Sequence, residues 1–255
     1  MNDEKYCIGT AGFMIGGIKW LRLKSLNCIE INSTFYHLPS TNIVSSWSNY
    51  PENVKISIKA SKYITHTKRL KDVESHWNTF WERIQPCQNK ILSVLFQLPP
   101  SFMYSEVNMK RIIDIKKYFP ININMVVEFR NKSWLTEYVY QRMEDMAIII
   151  CGTYIQRSPR TTNWLGDMPA GLNFGNVFDK IGYMRIHGMK GYKGELTPEQ
   201  LVDLYKKINI SNIKNQIIIF NNTFFKNKSH TIRINNVEIK YAAVYNAVLM
   251  KRLIN

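Results

Sequence analysis

The chain has 255 residues, of which 45% are apolar, 13% aromatic and 21% charged, a balance that excludes a disordered or fibrous polypeptide and allows a substantial core. Lys and Arg number 34 against 19 acids, and the resulting +15 charge favours encounter with anions, phosphates and nucleic acid without naming a chemistry. No apolar run approaches the roughly eighteen residues of a membrane span, and the opening MNDEKYC lacks the apolar core of a secretory signal, so a cytoplasmic protein with no membrane partner is expected.

The lysines are scattered and no basic block stands out. A chain crowded with Lys, Asn and Ile also follows from A/T-rich coding, so charge alone does not assign a nucleic-acid partner. Cys7, Cys28, Cys87 and Cys151 lie far apart, with no CxxC pair and no matching histidine spacing, which signals neither a zinc site nor a disulfide framework. Reduced thiols, three of them inside apolar strands, are the simplest reading.

Tyr6 to Ile8 reads as a first strand running into GTAGF, where Gly9 and Gly12 permit a tight turn or a close approach of a ligand. Ile18 to Leu26 reads as a short helix, and Cys28 to Leu38 (CIEINSTFYHL) as a strand that breaks into a polar, aromatic turn. Ser40 or Thr41 caps a helix that runs to Pro51 with Val44 and Trp47 on one face. Val54 to Ala60 alternates strictly and is a strand by period alone; the loop YITHTKRL follows with Thr65, His66 and Arg69.

Asp72 opens a helix with Trp77, Phe80, Trp81 and Ile84 at helical spacing. Ile91 to Phe96 is the fourth strand, closed by Gln97 and Pro99-Pro100; Ser105 caps the next helix. Met125 to Phe129 is the fifth strand, with Ser133 starting a helix, and Ala147 to Cys151 is the sixth. Gln156 to Asp179, rich in Gly, Pro, Asn and Thr and carrying Arg157, Arg160 and Trp164, predicts a long irregular loop, the kind that binds ligands or forms lids.

Ile181 to Ile186 is the seventh strand. TPEQ at 197–200 is a strong helix start, Gln216 to Phe220 the eighth strand, Asn235-Asn236 the turn of a hairpin within Thr223 to Lys240, and Tyr241 to Ile254 the closing helix. Eight strand-like runs, mostly followed by helical runs and with no linker or repeat, predict one (β/α)8 barrel over 1–255 with an irregular loop after the sixth strand.

The C-terminal ends of those strands carry polar groups. They supply Thr10, then Glu30, Asn32 and Tyr36, then Lys59 and His66, Gln97, Glu128 with Arg130, Arg185 with His187, and Asn221 with Asn222. Each alone is ordinary: a buried carboxylate or arginine is often half of an ion pair, and a lone histidine is more often hydrogen-bonded in a core than catalytic. Their recurrence at strand ends is the functional signal. Glu30 and Glu128 are candidate catalytic acids or bases, His66 and His187 proton carriers, and Lys59, Arg130 and Arg185 anion clamps, with Lys59 also a candidate catalytic amine for Schiff-base chemistry if desolvated. Thr10, Asn32, Tyr36, Gln97, Asn221 and Asn222 are candidate substrate contacts. A divalent metal on Glu30, Glu128, His66 and His187 is not favoured, because the neighbouring cations oppose it and no HExxH spacing is present, so no cofactor is expected.

GTAGF, EINSTFYHLP, IKASKYITH, LFQLPPSF, VEFRNKSW, YMRIHG and FNN followed by Asn246-Ala247 occur in the order seen in domain-of-unknown-function family 72, the YecE-like proteins, which the chain resembles over nearly its whole length. That resemblance implies a (β/α)8 barrel and supplies no established reaction. Likeness of such barrels to endonuclease-type and sugar-isomerase-type barrels implies a phosphate-ester or nucleic-acid substrate by analogy of fold. The segment between GTAGF and EINSTFY is shorter than the family pattern, and Thr223 and Thr153 or Tyr154 stand where the family carries acids, which weakens a multi-metal mechanism.

Two functions are therefore expected to compete. One is an enzyme, a hydrolase or lyase, acting by acid/base chemistry on a phosphorylated or otherwise anionic small molecule at the strand ends. The other is a nucleic-acid partner, bound without catalysis or cut by a nuclease-like phosphodiester hydrolysis.

Overall fold

The computed structural model of the chain describes residues 6–14, 16–21, 23, 25–155, 171–177, 181–188, 194–209, 215–221, 225, 227 and 231–254. In chain order the first half holds β1 (Tyr6–Ala11), α1 (Gly17–Leu21), β2 (Cys28–Ile31), α2 (Thr41–Ser48), β3 (Lys55–Lys59), α3 (Glu74–Ile84), β4 (Ile91–Gln97), α4 (Glu106–Lys116), β5 (Asn124–Glu128) and α5 (Glu137–Asp145). The second half holds β6 (Ile148–Ile150), β7 (Gly152–Ile155), β8 (Gly171–Asn173), β9 (Ile181–Ile186), α6 (Pro198–Asn209), β10 (Asn215–Phe220), β11 (Ile232–Ile234), β12 (Val237–Ile239) and α7 (Ala242–Ile254).

The chain forms two compact units, 1–30 with 152–161 and 170–255, and 31–151 with 162–169. In the first, the hydrogen-bonded order is β2-β1-β10-β9-β7-β8, parallel except for β8, which runs antiparallel to β7. In the second, β3, β4, β5 and β6 follow one another, all parallel. Strands buried on both faces read as continuous apolar runs, as Ile217 to Phe220 and Met125 to Val127 do.

The expected closed eight-strand barrel is corrected: the sheet holds ten strands, one antiparallel, in an order that starts at β6 and ends at β8 and does not close into a ring of eight. The sixth expected strand, Ala147 to Cys151, is instead Ile148–Ile150, and β7 begins only after Cys151. Gly152 is where the two differ. A Cβ there would lie 2.9 Å from Met184 Cε and 3.0 Å from both Asn173 O and Gly175 N, so the antiparallel β8 segment packs against β7 only because this residue has no side chain. The expected irregular loop Gln156 to Asp179 is thus partly a strand, while Arg157, Arg160 and Trp164 lie outside the described residues.

Local signals held better. Ser40 and Ser105 accept from Ile43 N and Asn108 N as N-caps, and Thr197 and Gln200 form the reciprocal capping box. Asn235 and Asn236 both adopt positive φ, 48° and 60°, the backbone a two-residue hairpin turn requires. The helix expected from Ser133 is corrected: Lys132–Trp134 is a single 3-10 turn, and α5 starts afresh at Glu137 with Thr136 as its cap. Among the described residues no helix is long and apolar enough to cross a membrane.

Candidate functional site

The candidate residues fall into two groups, one per unit. In the first unit, Glu30, the next-to-last residue of β2, is fully buried, and both its oxygens are held: Arg185 Nη2 donates to Oε1 at 2.8 Å and the Tyr183 hydroxyl to Oε2 at 2.9 Å. Tyr183 and Arg185 occupy alternate positions of β9 and so share a face. That alternation was a signal in the sequence for Tyr183, which strand-end reasoning passed over.

Thr10 is similarly engaged, accepting from Trp20 Nε1 at 2.9 Å and donating to Gly12 O at 2.8 Å, so its single hydroxyl proton is committed. His187 is fully buried, with Nδ1 3.4 Å from the Asn221 amide nitrogen. Asn222 lies outside the described residues. Thr153, which with Tyr154 is one of the two candidates for the position where the resembled family carries an acid, is buried, and its hydroxyl has no partner among the described residues.

The second unit presents a contiguous polar row. Lys59, Gln97 and Glu128 are the last residues of β3, β4 and β5, Gln97 stands opposite Glu128 in the ladder, and Lys59 Nζ donates to Gln97 Oε1 at 2.8 Å. Glu128 pairs with Arg130, both side chains completely buried. Arg130 Nε and Nη1 have no acceptor among the described residues, and the buried Oδ1 of Asn32 has no donor there. Phe129, between the charged pair in sequence, stacks on Trp134 at 4.3 Å, and Trp134 stacks with Phe102 while donating from Nε1 to Phe102 O at 2.7 Å. This aromatic stack holds the strand end rigid.

His66 sits in one turn of π-helix, Tyr63–Thr67, an irregularity often found at functional sites. The Thr65 hydroxyl donates its only proton to Ser61 O at 2.9 Å, so His66 Nδ1, also 2.9 Å away, must donate to Thr65 and the lone pair falls on Nε2. Burial, followed by the charges of Lys59, Lys62, Arg130 and Arg69, pushes the imidazole down to about 4 from 6.5, which keeps it neutral near pH 7. Phe35 connects these groups: its ring is 4.2 Å from Lys59 Nζ and 5.0 Å from both the His66 and Tyr36 rings. Neither Phe35 nor Lys62 was singled out from sequence, because an aromatic inside an apolar signature and one lysine among many carry no distinguishing pattern.

The depressed histidine has a measurable consequence. Between about 6.5 and about 4 the unfolded chain binds a proton that the folded chain refuses, so stability falls as pH drops through that window and levels off below it. The loss is on the order of 1 kcal/mol after discounting for solvent around a half-buried ring. Urea denaturation at both ends of the window is expected to show this loss in the parent chain and not in His66→Gln.

Burial pushes the Cys87 thiol up to about 11, and a hydrogen bond from the Cys28 thiol to Cys7, followed by burial, raises Cys28, so these thiols stay protonated and unreactive. Among the described residues no three His, Cys, Asp or Glu side chains are placed to share a metal ion.

Fold and site together define an α/β protein with a mostly parallel sheet and, at the strand ends of one unit, a buried Glu128–Arg130 pair and the half-buried Lys59. The chain belongs to the family described as protein of unknown function DUF72, whose model matches residues 21–255. It is similar in structure to a DUF72 family protein of Enterococcus faecalis V583, with TM-score 0.71, 18% identity and coverage of 97% of this chain and 96% of that one. A DUF72 family protein of Thermotoga maritima MSB8 is similar with TM-score 0.71, 22% identity and coverage of 98% and 99%. At such identities the likeness establishes the shared fold. No curated protein matches the chain.

Proposed function

We propose that the second unit carries the active site of an enzyme that binds a phosphorylated or otherwise anionic small molecule and works by acid/base chemistry, as a hydrolase or lyase. The observation that carries this reading is Arg130: a wholly buried guanidinium whose Nε and Nη1 have no acceptor among the described residues, beside a His66 that burial and then the neighbouring positive charges keep neutral. Leaving such donors unmatched costs about 1–3 kcal/mol, which an anion seated there would recover. Lys59 adds a second positive charge, Glu128 orients Arg130, and Nε2 of His66 is the proton acceptor.

The test is inorganic phosphate. It is expected to raise the unfolding midpoint in a saturable way, and by charge to raise the His66 titration midpoint followed by imidazole NMR. Lys59→Gln should weaken both effects. A midpoint and a His66 titration that ignore phosphate would overturn the proposal. The +15 charge favours a second reading, nucleic-acid binding or phosphodiester hydrolysis, which requires affinity that falls steeply as salt rises.

A further inference from the structure

We propose that the anion taken by this cluster is the terminal phosphate of a ring-bearing small molecule, of the nucleoside 5′-monophosphate class, whose ring lies on Tyr36. This rests on the anion site proposed above and adds what the rest of the ligand is.

Tyr36 is 68% exposed, although the residue before it is buried. An aromatic ring left in water is unexceptional alone, but this one is in edge-to-face contact with Phe35 at 5.0 Å, and Phe35 in turn touches Lys59 and His66. A single ring therefore separates Tyr36 from the cationic floor. Leu38, Tyr63 and Met103, 43%, 41% and 57% exposed, lie on the segments that follow β2, β3 and β4, the same strand ends that supply Lys59 and Gln97. A positive group one ring away from an exposed aromatic side chain matches a ligand with an anionic end and a flat, partly apolar body. A π-face accepts such a body without demanding one hydrogen-bond pattern.

The burial of Arg130 decides between a small molecule and a polymer. Its side chain has no exposed surface, so any anion reaches it only where the packing opens, and a terminal phosphate needs the smaller opening. An internal phosphodiester must continue on both sides and would have to open the packing around Phe129 and Trp134 to reach it.

Isothermal titration calorimetry of the full chain, Tyr36→Ala and Tyr36→Phe tests this with inorganic phosphate, ribose 5-phosphate, the four ribonucleoside 5′-monophosphates and a short oligothymidylate. The nucleotides are expected to bind roughly tenfold tighter than ribose 5-phosphate, the gain expected of one stacked base. Tyr36→Ala should abolish that preference and leave inorganic phosphate binding unchanged, and Tyr36→Phe should keep the preference. Equal affinity for ribose 5-phosphate and the nucleotides, or a preference that survives Tyr36→Ala, overturns the ring assignment while the anion site stands. Tightest binding by the oligonucleotide, with a steep salt dependence, overturns it in favour of nucleic acid. Absence of binding by every probe removes both this assignment and the anion site.

Discussion

Glu128→Gln is expected to destabilise the protein by roughly 3–5 kcal/mol, because it strips the counter-charge from a guanidinium with no exposed surface. Glu128 and Arg130 are both fully buried, two residues apart where β5 ends, and after burial the neighbouring charges of Lys59, Lys62 and Arg69 add to the downward shift of His66. The volume of the side chain is nearly conserved in Gln, so the loss reads charge rather than packing. Two further measurements separate this cause from generic damage. Replacing both partners, Glu128→Leu with Arg130→Leu, should recover much of the loss, since a buried pair exchanged for apolar groups is often neutral. Phosphate should stabilise Glu128→Gln more than the parent chain, because it supplies the missing negative charge. Urea denaturation reads all three; a single variant as stable as the parent would show that the pair does not balance the buried charge.

Gly9→Ala is expected to cost about 3 kcal/mol or more and to reduce the yield of folded protein. A Cβ at Gly9 would stand 1.5 Å from Cys28 O and 2.4 Å from Cys28 C, and both are backbone atoms of the neighbouring strand β2. Backbone in a ladder cannot step aside as a side-chain tip does, so β1 and β2 would have to separate where Glu30 is presented. Gly12→Ala is the control. Nothing lies within 4 Å of a Cβ there, but φ is +87°, so its cost comes from backbone strain alone, roughly 1–2 kcal/mol. Thermal unfolding of the two variants should rank Gly9→Ala clearly below Gly12→Ala; the reverse order would mean the strand contact is not the constraint.

Gly9 illustrates how sequence and structure divide the explanation. The sequence reading assigned it to a turn or a ligand approach, whereas the close approach is that of the adjacent strand, which no local pattern announces. Arg185 and Glu30 are separated by 155 positions yet share a hydrogen bond at 2.8 Å, and Thr10, a candidate contact at its strand end, has its hydroxyl committed to Gly12 and Trp20. In contrast, Glu128 and Arg130, two apart where β5 ends, are recognisable as neighbours from spacing alone.

What the chain determines by itself is what a few adjacent residues can decide: the alternation that makes β3, the caps of α2, α4 and α6, the Asn-Asn turn, and the placing of polar groups where apolar runs stop. These are set by side chains within a turn or a strand of one another and need no knowledge of the rest of the protein. The tertiary structure alone decided that the sheet has ten strands with an antiparallel member, that Glu30 is held by Tyr183 and Arg185, and that Arg130 has donors without an acceptor among the described residues, beside a neutral His66. Those outcomes depend on register, close backbone contact and the summed field of charges distant in sequence, quantities that exist only after the strands have been laid side by side.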